Sequence, residues 1–139
     1  MAPRALIVLN RGAGRRAEAR RATILERLEG RYDIELLEDK GPALRRRLTE
    51  SMERPPDLLV AAGGDGTVSS CAAAVRGTAS ALAIVPGGTA NSIARALGIP
   101  QDLEGACDCL LSGAVRTIDC ADVRAGGPRA RPRSMVLMA

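Results

Sequence analysis

Two apolar runs stand out along the chain, Ala5–Leu9 and Asp57–Ala62, each too short for a helix and each uninterrupted by polar residues after its first position. Runs of this length and composition, rich in Leu, Val and Ile, are the pattern of strands buried on both faces. A third run, Leu82–Val85, reads the same way. Asp33–Leu37 alternates polar and apolar positions before ending in two leucines, which predicts a strand with one exposed side. Between these runs the period changes. Arg15–Leu28 places apolar residues three and four apart, predicting an amphipathic helix, and Pro42–Met52 predicts another, with Pro42 suited to its first position. Val68–Val75, Ser92–Leu97 and Leu103–Leu111 read as further helices, and Val115–Val123 as a strand. Strands alternating with helices imply an α/β fold: a three-layer, Rossmann-like parallel sheet with helices on both faces. Gly126-Gly127-Pro128 breaks the alternation, and Met135–Met138 reads as a returning strand.

Two of the strand-to-helix junctions are glycine turns. After Leu58–Ala62 comes Gly63-Gly64-Asp65-Gly66-Thr67, and after Leu82–Val85 comes Pro86-Gly87-Gly88-Thr89-Ala90-Asn91-Ser92. Glycines let backbone amides approach anionic oxygens at a helix N-terminus without obstruction by Cβ, which makes both turns candidate phosphate sites. Asp65 would repel bare phosphate, so in this reading it acts through Mg²⁺ or bound water. The competing reading is an ordinary turn in which Asp65 and Thr67 are helix caps. Thr89 and Asn91 would add a hydroxyl and an amide, while Asn91 is equally suited to cap the helix that follows. Strand ends of a parallel sheet lie along one edge, so the two turns can share one ligand.

Composition narrows the remaining classes. The chain has 139 residues, is 46% hydrophobic and only 1% aromatic, so one aliphatic core is expected. With few aromatic rings to stack bases, nucleic acid is a poor candidate partner. The formal charge is +4, carried almost wholly by arginine, and Lys40 is the only lysine; a Walker A loop, which needs lysine after its last glycine, is excluded. Histidine is absent, and Cys71, Cys107, Cys109 and Cys120 have no zinc-site spacing, so reduced thiols and a cytoplasmic setting are expected. Nothing resembles a membrane span or a signal peptide. Arg45–Arg47 and Arg129, Arg131 and Arg133 read as solvated basic groups, with contact to anionic lipid headgroups as the alternative.

The first turn, Asn10-Arg11-Gly12-Ala13-Gly14, combines with Ala17 to spell GxGxxA, and Glu38 follows at the end of the second strand. This is a rival dinucleotide-binding fingerprint, but it leaves both GGDGT and PGGTAN unexplained.

GGDGT followed about twenty residues later by PGGTAN resembles the diacylglycerol kinase catalytic domain family, which includes bacterial lipid kinases and sphingosine kinases. GGDGT alone is shared with NAD kinases; GTAN with Ala94-Arg95 and Leu97-Gly98-Ile99-Pro100 favours the lipid kinases. A weaker match runs from Ile118-Asp119 to Val123. The resemblance implies an ATP-binding domain over residues 1–125. It also implies that residues 126–139 begin the passage to a β-rich second domain, which in the family carries the acceptor pocket and the catalytic base. No catalytic residue is therefore expected in this chain, and the acceptor base is expected beyond Ala139. The nucleotide-contacting positions it implies are Asn10, Gly12, Gly63, Gly64, Asp65, Gly66, Thr67, Ser70 and Thr89, with Asp65 facing Mg²⁺. Expected partners are ATP and, through the second domain, a lipid alcohol, with peripheral contact at the inner membrane surface. A homodimer could form through the Met135–Met138 edge. An NAD kinase-like enzyme and a non-catalytic nucleotide-binding module are the alternatives. Four positions depart from the family pattern: Arg11 replaces a proline, Ser70 a glutamate, Ser92 an aspartate and Leu37 a threonine.

Overall fold

The structure, a computed structural model, describes residues 1–10, 15–123, 126 and 133–136. Its order is β1 (Arg4–Leu9), α1 (Arg15–Leu28), β2 (Asp33–Leu37), α2 (Gly41–Ser51), β3 (Leu58–Gly63), α3 (Asp65–Val75), β4 (Ala81–Pro86), α4 (Ser92–Ala96), α5 (Leu103–Ser112), β5 (Cys120–Val123) and β6 (Arg133–Val136). The first four strands form one parallel sheet in the order β2-β1-β3-β4, as the alternation of elements predicts.

The two longest apolar runs became the two central strands. β3 is buried at every position and β1 at every position after Arg4, whereas the edge strand β2 alternates exposed and part-buried residues up to Leu37. The side-chain period of two divides the core into opposite faces. Ala5, Ile7, Leu9, Leu58, Val60 and Ala62 face one way and pack with Ile24 and Leu28 of α1 and Ala106 and Cys107 of α5. Leu6, Val8, Leu59 and Ala61 face the other way, against Leu44 and Leu48 of α2, Val68 and Cys71 of α3 and Ala94 of α4. Ile24 and Leu28 of α1 and Leu44 and Leu48 of α2 are four residues apart, and Val68 and Cys71 of α3 three apart, the spacing of a helical stripe turned to the sheet.

Two strands differ from the sequence reading. Val115–Val123 is not one strand: regular structure begins only at Cys120, Val115 is 81% exposed, and β5 does not join the parallel sheet. Val115, Thr117 and Ile118 supply β-branched residues, but among the described residues no neighbouring strand pairs with this stretch. The returning strand is placed at Arg133–Val136, where it pairs antiparallel with β5, Cys120 opposite Val136 and Val123 opposite Arg133. Of the predicted Met135–Met138 segment, Leu137 and Met138 lie outside the described residues. Ala139 lies outside them too, and with it the expectation that the acceptor base follows that residue. Among the described residues, no helix is long and apolar enough to cross a membrane.

Candidate functional site

The strand order reverses between β1 and β3, because β2 follows β1 outward on one side and β4 follows β3 on the other. In open α/β sheets this switch leaves a crevice beyond the strand carboxyl ends. Asn10 leaves β1 there, Gly63 ends β3, and Gly87 follows β4 one strand away. The ladder continues into the turns: the Asn10 N–H donates to the Ala62 carbonyl at 3.0 Å, and the Gly87 N–H donates to the Gly63 carbonyl at 2.9 Å. The turns therefore leave the sheet at one level.

None of Gly63, Gly64, Gly87 and Gly88 has a positive φ, so close packing and not backbone conformation favours glycine here, most strongly at Gly88. A methyl carbon on Gly88 would lie 2.5 Å from the Gly64 Cα, and one on Gly64 would lie 3.2 Å from the Gly88 Cα. The GGDGT and PGGTAN turns thus touch backbone to backbone. A methyl carbon on Gly63 would meet Thr67 Oγ1 at 2.8 Å and Asn10 Cβ at 3.1 Å, which places the Asn10, Gly63 and Thr67 side-chain positions together. Gly66 is different. It is exposed, and a methyl carbon there would meet nothing within 4 Å.

Helix α3 starts at Asp65, three residues earlier than the apolar period predicts. Its first helical bond runs from the Val68 N–H to the Gly64 carbonyl at 3.0 Å. The amides of Asp65, Gly66 and Thr67 consequently have no acceptor within the helix. The Asp65 carboxylate crosses to the other turn, where Oδ2 accepts from the Ser92 N–H at 3.0 Å and Oδ1 from the Ile93 N–H at 3.1 Å. These bonds, Ile93 first and Ser92 second, hold its pKa below the usual carboxylate value, with the Ser92 hydroxyl adding to the effect. Asp65 is therefore a cap, as the competing reading of the sequence has it, but for α4 and not for its own helix.

Asn91 is released from capping by that arrangement. It occupies the N-cap position of α4 with φ 51° and ψ 44°, and its side chain makes no capping bond. Instead its Oδ1 accepts from the Gly88 N–H and its Nδ2 donates to the Gly88 carbonyl, both at 2.9 Å. The left-handed backbone is one that asparagine tolerates better than most residues. Arg95 fixes the other side of the loop, Nε donating to the Ala90 carbonyl at 3.0 Å. Thr89, held between these clamps, is exposed, with no hydrogen bond among the described residues. Ser70 lies part-buried on α3, one turn beyond Thr67. Gly12 lies outside the described residues, as does Arg11.

Two departures from the family pattern acquire a physical reading. Leu37 is fully buried in the core beside Leu44 and Leu48, so it belongs to packing. Ser92 stands beside Asp65, where a second carboxylate would repel it. Glu38, the acid of the rival dinucleotide fingerprint, accepts from Arg21 Nε at 3.2 Å.

Sequence reasoning missed Arg20. The guanidinium from α1 lies over Gly87: a methyl carbon on that glycine would be 2.6 Å from Cζ. Burial lowers the Arg20 pKa. In the sequence, Arg20 and Arg21 are twin basic positions on one amphipathic helix, and nothing local separates them.

Among the described residues no three metal-binding side chains gather. Asp65 could join a metal carried largely by phosphate and water, because the two amides and the Ser92 hydroxyl leave part of its acceptor capacity unused. A cavity of about 630 Å³ lies elsewhere, walled by α3, β4 and the stretch from Gly113 to Cys120, and no residue of the glycine turns lines it.

The profile of the diacylglycerol kinase catalytic domain family matches residues 4–123. A Klebsiella pneumoniae protein called "Probable lipid kinase YegS-like" is 37% identical over 124 residues, which cover 87% of this chain and 41% of that protein. An uncharacterised Synechocystis protein, sll0036, is 31% identical over 87 residues, which cover 60% of this chain and 20% of that protein. The crystal structure of a diacylglycerol kinase from Bacillus anthracis superposes with a TM-score of 0.74 at 28% identity, over 86% of this chain and 44% of that one. The chain spans less than half the length of these relatives and of the solved structure.

Proposed function

Because this chain belongs to the diacylglycerol kinase catalytic domain family, we propose that it is the ATP-holding domain of a lipid kinase, which transfers the γ-phosphate to the hydroxyl of a lipid alcohol. The supporting geometry is the convergence of the turns at the sheet's switch point, with the uncapped amides of Asp65, Gly66 and Thr67 beside it. Such amides suit phosphoryl oxygens. Asn10, Gly63, Gly64, Ser70 and Thr89 complete the nucleotide surroundings in this reading, and the family resemblance adds Gly12. Mg²⁺ bound with the nucleotide would neutralise charge beside Asp65. Phosphoryl transfer depends mainly on alignment and charge neutralisation, and the acceptor must be held in line. Among the described residues no lipid pocket is paired with a base around the turns. In this proposal, acceptor binding and proton removal fall to the part of the relatives' length that this chain does not span. Its lipid substrate brings the complete enzyme to a membrane surface from the cytoplasm.

The observation that carries this reading is Gly66. Glycine in a helix is less stable than alanine by roughly 0.5–1 kcal/mol at interior positions and by less in a first turn. Gly66 has neither a positive φ nor a crowded neighbour to require it. In the proposed reading, the open space beside Gly66 is where a phosphoryl group approaches the helix amides. Gly66→Ala should leave the melting temperature of the free protein unchanged or raised, and should weaken MgATP binding by about tenfold or more, or ~1.4 kcal/mol. Calorimetric titration and thermal denaturation measure both. Equal MgATP affinity in the variant and the wild type, or no binding by either, refutes the reading.

A further inference from the structure

We propose that Arg20 is the arm by which helix α1 grips the polyphosphate of the bound nucleotide, an inference that rests on reading the glycine turns as a nucleotide site. The guanidinium occupies the volume a side chain at position 87 would need: a methyl carbon built there would lie 2.6 Å from Cζ, 2.7 Å from Nη1 and 3.0 Å from Nε. The Arg20 guanidinium thus lies directly against the Gly87 backbone. The Gly87 N–H is bonded to the Gly63 carbonyl at 2.9 Å, so the cation sits one peptide from the GGDGT turn.

Among the described residues this cation has no counter-ion. Two other part-buried arginines of α1 are paired, Arg21 with Glu38 at 3.2 Å and Arg27 with Asp108 at 2.7 Å. For Arg20, desolvation acts alone to lower its pKa. A guanidinium partly shielded from water, with no acid beside it, is placed to take a ligand that supplies the negative charge. A carboxylate-bearing ligand and a polyphosphate both offer such charge, but the surrounding groups decide between them. The guanidinium lies against the Gly87 backbone, and the turn that carries Gly87 touches the GGDGT turn, whose helix amides lack acceptors and suit the oxygens of tetrahedral phosphates. The planar fork of arginine matches two phosphoryl oxygens at once, which a lysine ammonium does not.

The test titrates the 139-residue protein and its R20A and R20K variants with MgATP and, separately, with magnesium and inorganic tripolyphosphate. The R20A change should weaken both ligands by about tenfold or more, R20K should recover only part of the loss, and the free R20A protein should melt no lower than wild type. Undiminished binding by R20A overturns the proposal, as does a free R20A protein that melts several degrees lower, since the cation would then be a structural support. If the wild type binds tripolyphosphate and not ATP, the nucleotide reading fails while R20A against tripolyphosphate still decides the role of Arg20. If it binds neither, both readings fall.

Discussion

Gly88→Ala should separate the two glycine turns and destabilise the free protein. The new methyl carbon would lie 2.5 Å from the Gly64 Cα and 3.3 Å from the Gly64 nitrogen. Carbon atoms in ordinary contact are at least about 3.4 Å apart, so the turns must open by roughly 1 Å. The obstacle is backbone fixed at the end of the central strand β3 and cannot swing aside as a side chain could. Overpacking of this kind costs ~1–3 kcal/mol, which for a domain of this size lowers the melting temperature by roughly 3–10 °C. The same opening would stretch the Asp65 bonds to Ser92 and Ile93, now 3.0 and 3.1 Å, beyond hydrogen-bond range. The mirror substitution is milder: a methyl carbon on Gly64 would be 3.2 Å from the Gly88 Cα, which a shift of a few tenths of an ångström relieves. Urea denaturation at constant m-value ranks the variants. The order wild type, then Gly64→Ala, then Gly88→Ala is expected. A Gly88→Ala midpoint equal to wild type, or Gly64→Ala the more damaged of the two, would show that the turns do not touch as described.

Asp65→Asn should lower stability at neutral pH by removing a charged acceptor from the amides of Ser92 and Ile93. The folded pKa of Asp65 lies below its unfolded value, so its contribution is complete above about pH 5 and is lost as pH falls through the folded pKa, below about pH 4. Melting curves of the two proteins from pH 8 to 3 should converge at the acid end; a constant difference throughout would refute the assignment. Cys71 is fully buried with its thiol pushed up to about 12, whereas Cys109 is exposed. Iodoacetamide at pH 8, read by peptide mass mapping, should modify Cys109 in the native protein and Cys71 only after denaturation; equal rates would place Cys71 outside the core.

The parallel sheet was legible because buried strands leave a local record. The runs Ala5–Leu9 and Leu58–Ala62 must be apolar on both faces, and no distant information is needed to read them. The turn motifs were legible for the same reason, since GGDGT and PGGTAN are contiguous. The stretch from Val115 to Asp119 was misread because β-branched residues report a propensity, while a strand also needs an edge to pair with.

Sequence by itself thus determined the strands of the parallel sheet and the helices between them, the aliphatic core and the two glycine turns, all features in which neighbouring residues act together. Tertiary structure alone decided which partner each group meets. It set the strand order that creates the crevice and assigned Gly64 and Gly88 to each other. It also turned Asp65 into the cap of a helix 27 and 28 residues away and laid Arg20 over Gly87. Those pairings depend on distances fixed by the packed sheet, and packing is a property of the whole chain that no local pattern encodes.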